Sequence, residues 1–284
     1  MMAGLLRLLA KLRLPALHRI GVVLGWFVYF ASPVYATRIR GNLAASGIYH
    51  EPEALDRAVR ACVGETGKAA IETAKIWFGD TREVEGFTRC DTWSAMEEAR
   101  AQGRGVLLLV PHLGSFEMIG FYTGQRMPLT ALYRPPRLRW LEPLMVAGRG
   151  RGHGAVAPAN LRGVRLLYKA LKRGEIVGLL PDQAPQLGEG VWTDFFGRPA
   201  YTMTLVRRLQ KQTGAEIVFA YGERLPTGRG FVLHFERFKE GELTEAAMNR
   251  TVENLIRRLP AQYLWSYNRH KVPKGVEPPP ARTT

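Results

Sequence analysis

The stretch Gly105-Val106-Leu107-Leu108-Leu109-Val110 constrains this chain more than any other: a short run, apolar at every position after its opening glycine and closed by Pro111. A segment with no polar face must be covered on both sides, so it reads as a buried, parallel strand. Its C-terminal end points at Pro111-His112. Ser115 then caps a helix running through Phe116-Glu117-Met118-Ile119-Gly120-Phe121. The same alternation recurs, with strands at Leu129 to Tyr133, Ile176 to Leu180 and Glu216 to Tyr221. Helices are expected at Gly163 to Lys172 and at Thr202 to Gln212, the second ended by Gly214. Strands alternating with helices imply an α/β fold, a central, mainly parallel sheet flanked by helices on both faces.

Around this frame, apolar residues at helical spacing predict a helix from Glu53 to Ile76, entered through Glu51-Pro52, and another from Trp93 to Ala101, stopped by Gly103. Phe231 to Phe235 reads as an edge strand, Glu245 to Arg258 as a late helix, and Pro273 to Thr284 as a loose tail. With 46% hydrophobic residues the chain can build a substantial core, which excludes intrinsic disorder. The 284 residues therefore divide into an N-terminal segment (1–44), one catalytic domain (45–272) and a flexible tail (273–284).

The N-terminal segment holds seventeen uncharged residues, Ile20 to Ala36, between Arg7, Lys11, Arg13 and Arg19 on one side and Arg38 and Arg40 on the other. That length is the lower limit for crossing a bilayer, and Pro33 with two glycines weakens the helix, so a tilted span and an interfacial helix both fit. A cleaved leader and an ordinary buried helix are rival readings. Membrane attachment is the expectation, because the amphipathic stretch Leu5 to Leu17 suits an anionic surface.

Forty Lys and Arg against 25 Asp and Glu leave a charge of +15, so the partners should be anionic. The excess is concentrated. Between Arg126 and Arg173 stand eleven basic residues, Arg137 and Arg149 among them, and one acid, Glu142. The two cysteines, Cys62 and Cys90, form no CxxC and the histidines no cluster, so neither a disulfide framework nor a metal site is expected.

Reactive groups in open α/β sheets collect beyond the carboxyl ends of strands. His112 and Asp182 both stand there, each after an apolar strand and a proline, in LLLVPH and GLLPD. His112 and Glu117 are also five residues apart, an imidazole on a turn and a carboxylate in the following helical turn. A hydrogen bond between those two would let the acid orient the ring while its other nitrogen takes a proton from a hydroxyl. The competing reading makes Glu117 an acid that merely complements the helix dipole.

Taken together, the ordered strings of this chain resemble the lipid A lauroyl and myristoyl acyltransferases, within the wider glycerol-3-phosphate acyltransferase-like fold. The strings are Arg38-Ile-Arg-Gly-Asn42-Leu43, Gly103-Arg-Gly105, His112-x4-Glu117, Tyr133-Arg134-Pro135-Pro136, Leu171-Lys172-Arg-Gly174-Glu175, Leu180-Pro-Asp182-Gln183, Phe195-Phe196-Gly197 and Gln262-Tyr263-x-Trp265. The resemblance implies His112 as general base, Glu117 as its orienting partner or a direct participant, and Arg134 as the arginine that stabilises an oxyanion or grips a phosphate. It implies that Asp182 and Gln183 position the acceptor or hold Arg134, and that Phe196 and Gly197 shape a substrate wall, with Ser115 also at the substrate.

The implied reaction moves a fatty acyl chain from acyl carrier protein to a hydroxyl of a lipid A precursor, directly, with no cofactor and no metal. Its setting would be the cytoplasmic face of a bacterial inner membrane, with an anionic bilayer and the acidic carrier as partners. Oligomeric state is not encoded legibly. A phosphatidylinositol mannoside or another glycolipid is an alternative acceptor. A nonenzymatic basic protein binding membrane or nucleic acid is a rival of another class, and no nucleic-acid module supports it.

Overall fold

A computed structural model describes residues 2–136 and 138–279; Met1, Arg137 and the last five residues of the tail lie outside the described residues. The chain opens with three helices, α1 (Met2–Ala10), α2 (Leu14–Ala31) and α3 (Pro33–Ala45), followed by the long α4 (Pro52–Phe78) and short α5 (Thr81–Gly86). The α/β part then runs β1 (Thr88–Arg89), α6 (Ser94–Ala101), β2 (Val106–Leu109), α7 (Phe116–Arg126), β3 (Leu129–Tyr133), α8 (Glu142–Arg149), β4 (Gly154–Pro158), α9 (Leu161–Lys172) and β5 (Ile176–Leu179). A hairpin of β6 (Gly190–Phe195) and β7 (Arg198–Met203) interrupts it. The chain closes with α10 (Leu205–Thr213), β8 (Glu216–Arg224), β9 (Phe231–Arg237) and α11 (Glu245–Arg258).

Seven strands form the main sheet in the order β1-β9-β8-β2-β5-β3-β4, parallel except where β9 runs against β8. β2 sits at the centre, and its all-apolar sequence follows from that place. Leu107 and Leu109 enter the core beneath α9, α10 and α11, whereas Val106 and Leu108 enter the core beneath α6 and α7. A strand buried on both faces has no use for polar residues. Later elements are added on both sides of β2, β5 on one and β8 on the other, so the strand order reverses there. Such a switch point leaves a crevice beyond the strand ends.

The strands expected from sequence at 105–110, 129–133, 176–180 and 216–221 are all present, as are the helices at 53–76, 163–172 and 245–258. Three details differ. Thr202 lies in β7, and the helix begins only at Leu205, because residues 198 to 203 pair in register with β6. β9 is not at the edge, since β1 pairs with it at Thr88 and Arg89. Ser115 stands at the N-cap position of α7 but makes no capping bond; its Oγ is buried without a partner, while its backbone N–H donates to Gly222 O at 2.7 Å. In the described part of the tail the Trp192 indole donates to Glu277 O at 3.0 Å.

Residues 1–44 do not form a separate body. α1, α2 and α3 all pack on α4, which in turn contacts the segments of Tyr263 and Glu117. The Cys62 thiol donates to Tyr263 O at 3.7 Å and the Trp77 indole to Glu117 Oε2 at 3.0 Å.

Candidate active site

β2 and β5 pair with Leu109 opposite Leu179. Three residues beyond each, His112 and Asp182 therefore emerge at the same height, after Val110-Pro111 and Leu180-Pro181. The Asp182 carboxylate grips the histidine twice. His112 Nδ1 lies 2.8 Å from Oδ1, and the His112 backbone N–H donates to Oδ2 at 2.9 Å. On the opposite side of the ring the Gln183 amide nitrogen stands 3.1 Å from His112 Nε2. An ionised carboxylate can only accept, so Nδ1 carries the proton and Nε2 is the acceptor. The arrangement fixes one tautomer, with the basic nitrogen turned away from the carboxylate.

Asp182 is 3% exposed. Burial works to raise its pKa, but the attraction of His112 and hydrogen bonds from that residue's ring and backbone outweigh burial and hold it below the ordinary carboxylate value. Tyr263 stands beside the same carboxylate; burial, then the Asp182 charge, pushes its phenol well above the ordinary value. Asp182 is thus an ionised, oriented acceptor.

Glu117 is not the partner of His112. Its carboxylate accepts two bonds from Arg149 Nε, at 3.2 and 3.1 Å, a third from Arg149 Nη2, and one from the Trp77 indole at 3.0 Å. The pair is largely buried, Glu117 being 8% exposed. Burial acts to lower the Arg149 pKa and the adjoining carboxylate more than reverses it. The histidine orientation expected of Glu117 falls to Asp182, because the parallel register sets Asp182 against the ring while α7 turns Glu117 toward α8 and α4.

Two cavities meet at Arg149. A groove of about 620 Å³ is lined by His112, Arg134, Arg149, Gln183, Met203 and Arg208 among others. Behind it, a narrow apolar pocket of about 60 Å³ runs between β2, α7 and β3, with Leu108, Phe116, Gly120 and Leu132 in its walls and Glu117 and Arg149 at one side. Leu132, Arg149, Leu179 and Leu180 belong to both linings.

Arg134, an exposed residue, reaches the rim of the groove, and among the described residues no acid pairs with it; Asp182 does not hold it. Ser115 is not part of either lining. Phe196 and Gly197 stand elsewhere again. They are the two-residue turn between β6 and β7, with φ of 47° and 67°, a left-handed pair in which glycine relieves the second position. Phe196 packs on Phe195 and Trp265 beneath Arg257, and neither turn residue lines the groove at His112. Among the described residues no three His, Cys, Asp or Glu side chains come together as a metal site would require.

Sequence reasoning passed over Arg149, Trp77 and Tyr263. Arg149 is one of eleven cations with nothing in the sequence to single it out, and Tyr263 belongs to the string Gln262-Tyr263-x-Trp265 without an assigned role. Asn42, in another such string, explains itself structurally. Its amide donates to the carbonyls of Trp265 at 2.7 Å and Tyr267 at 3.1 Å, fastening α3 to the segment that carries Tyr263.

Comparison with known proteins identifies a family. The model of a family described as bacterial lipid A biosynthesis acyltransferase matches residues 1–272. The chain belongs to that family. Among its relatives, the lipid A biosynthesis lauroyltransferase of Escherichia coli (strain K12) is 28% identical over 96% of this chain and 91% of that protein. The lipid A biosynthesis palmitoleoyltransferase of the same organism is 29% identical over 94% and 89%. A lipid A biosynthesis acyltransferase of Haemophilus influenzae is 27% identical over 60% of this chain and 55% of its own length. In this member of the family the histidine and the acid that grips it stand just beyond the ends of adjacent parallel strands, and Glu117 lines the apolar pocket.

Proposed function

We propose that the protein transfers a fatty acyl chain from an acyl carrier protein thioester to a hydroxyl of a lipid A precursor, with His112 as general base. The observation that carries this reading is the tautomer imposed on His112: Nδ1–H held by Asp182 and Nε2 basic, facing the groove. An acceptor hydroxyl in place of the Gln183 amide gives its proton to Nε2 as its oxygen attacks the thioester carbonyl. The tetrahedral intermediate collapses with C–S cleavage, and the imidazolium returns the proton to the leaving thiolate. Asp182 stabilises the imidazolium in between, as a buried charge-assisted partner does. No cofactor takes part in this route.

The remaining parts fit the substrates. The apolar pocket, about 60 Å³, suits a few methylenes of the acyl tail, and Glu117 with Arg149 forms the polar step where it joins the groove. Arg134, exposed at the rim, suits a phosphate of the acceptor better than a buried oxyanion. α9 and α10, which lend Leu161, Val164 and Arg208 to the groove wall, also carry exposed Arg162, Arg165, Lys169 and Lys211, and among the described residues none of these cations is ion-paired. An acidic carrier would be drawn to such a rim. The apolar N-terminal helices attach the enzyme to the inner membrane, with the catalytic domain on the cytoplasmic side.

The test uses purified full-length protein, a lipid A precursor and acyl carrier protein bearing a thioester. His112→Ala should abolish transfer while leaving the melting temperature near that of the parent. Turnover within a few-fold of the parent would remove His112 as base.

A further inference from the structure

α2 has the length and apolarity to cross a bilayer, but its packing assigns it a different place. Leu14, Leu17, His18, Gly21 and Gly25 form a buried stripe along the helix, and α4 runs antiparallel beneath them. The two backbones touch. A Cβ on Gly67 would lie 1.9 Å from Gly21 O, and one on Gly25 would lie 2.4 Å from Val63 O. Polar ties hold the same interface. His18 Nε2 meets Glu72 Oε2 at 2.9 Å, Glu72 is in turn held by Arg224, and buried Lys75 donates to Ala10 O at 2.9 Å, fixing α1.

A helix so attached cannot cross the hydrocarbon layer alone. Threading α2 through it would carry the middle of α4 to the same depth, with Glu65 and Lys68 on its partly exposed flank. The opposite side of α2 is built for lipid instead. Val23, Phe27 and Phe30 are 68%, 69% and 75% exposed, and Leu8 of α1 and Val34 of α3 add 61% and 60%. No acid occurs before Glu51, whereas Arg7, Lys11, Arg13, Arg19, Arg38 and Arg40 flank the apolar stretch. That charge pattern complements an anionic headgroup layer.

We propose that α1, α2 and the start of α3 lie in the plane of one leaflet, their apolar arc sunk among the acyl chains and their basic residues among anionic headgroups, so that the enzyme is attached to one side of the bilayer without crossing it. The occupant of this face is thus the lipid surface itself, and the inference rests on the membrane reading above. It has a structural consequence for the site. α4 carries the membrane helices on one side and in its last turn holds Trp77, which bonds Glu117 of the apolar pocket, so the pocket is held at a fixed height over the lipid.

Single cysteines at the two ends of α2 test the placement. Arg13→Cys and Ala31→Cys, each in a full-length Cys90→Ser background where Cys62 is buried, are exposed to a membrane-impermeant maleimide in spheroplasts and in inverted inner-membrane vesicles. Both positions should react in inverted vesicles and neither in spheroplasts. Reaction of Arg13→Cys from the periplasmic side would overturn the in-plane placement and leave the membrane reading standing. Recovery of the protein in the soluble fraction would sink both. As a second measurement, Phe27→Glu with Phe30→Glu should lower the sedimenting fraction by about tenfold while the melting temperature in detergent holds. Retention of the doubly substituted protein in carbonate-washed membranes would also overturn the placement.

Discussion

Replacing Asp182 by Asn probes the centre of the mechanism with almost no change in volume. The carboxylate accepts two hydrogen bonds from one residue, from the His112 ring at 2.8 Å and from its backbone N–H at 2.9 Å. An amide has one oxygen to offer. If that oxygen keeps the backbone N–H, the amide NH₂ faces Nδ1, the ring shifts its proton to Nε2, and the base is lost from the groove. If the oxygen keeps the ring, two N–H groups oppose each other. Losing one charge-assisted bond to the imidazolium costs about 1.5–3 kcal/mol, or roughly 10- to 150-fold in rate. The wrong tautomer raises the loss to about 10⁴-fold, the scale seen when a histidine-orienting aspartate is so replaced in a serine protease. We expect kcat for acyl transfer to fall by about 10²- to 10⁴-fold with KM changed much less. His112→Ala should mask the effect, the double variant being no slower than His112→Ala alone, because Asp182 acts through the ring. Since Asp182 is held below its ordinary pKa, its own protonation does not limit the parent enzyme above about pH 4. A kcat within twofold of the parent, or clear additivity with His112→Ala, would refute this account.

Three further outcomes can be checked separately. Gly120 lines the apolar pocket with open space where a Cβ would stand, so Gly120→Leu should shorten the transferred chain, read by mass spectrometry of product made from mixed acyl donors; an unchanged length profile would move the acyl tail elsewhere. Arg149→Met strands the largely buried Glu117 carboxylate and should destabilise by about 3 kcal/mol in denaturant unfolding, with much of the loss recovered by adding Glu117→Gln; no recovery would mean that the arginine acts through other contacts. Burial works to raise the Glu72 pKa, but Arg224 and His18 reverse it and lower it from 4.5 to about 2. A depressed carboxylate stabilises the fold above its unfolded pKa, so roughly 3 kcal/mol should be present above about pH 4.5 and fade as pH falls toward 2, a slope that Glu72→Gln abolishes.

Much of the frame was legible because it depends on local pattern. The apolar run before His112 and its counterpart before Asp182 read as strands, and the proline-ended pairing pointed both residues at one crevice. The β6–β7 hairpin escaped, because Trp192 and Thr193 facing Tyr201 and Ala200 is a relation between strands and leaves no periodic mark in either. Spacing along the chain suggested the wrong carboxylate for His112. Five residues put Glu117 within plausible reach, but a helical turn also rotates side chains, and α7 presents Glu117 to Arg149 and Trp77 instead.

The sequence by itself determined the α/β class, the acyltransferase family, the basic character of the central region and the candidacy of His112, since these reside in residue order and composition. Only the tertiary structure decided that Asp182 orients the ring, that Arg149 pairs with Glu117, and that α2 is bound along its length to α4. The reason is that register between neighbouring strands and contact between helix backbones join residues tens of positions apart, 70 in the case of His112 and Asp182. Chain spacing does not record such distances; packing does.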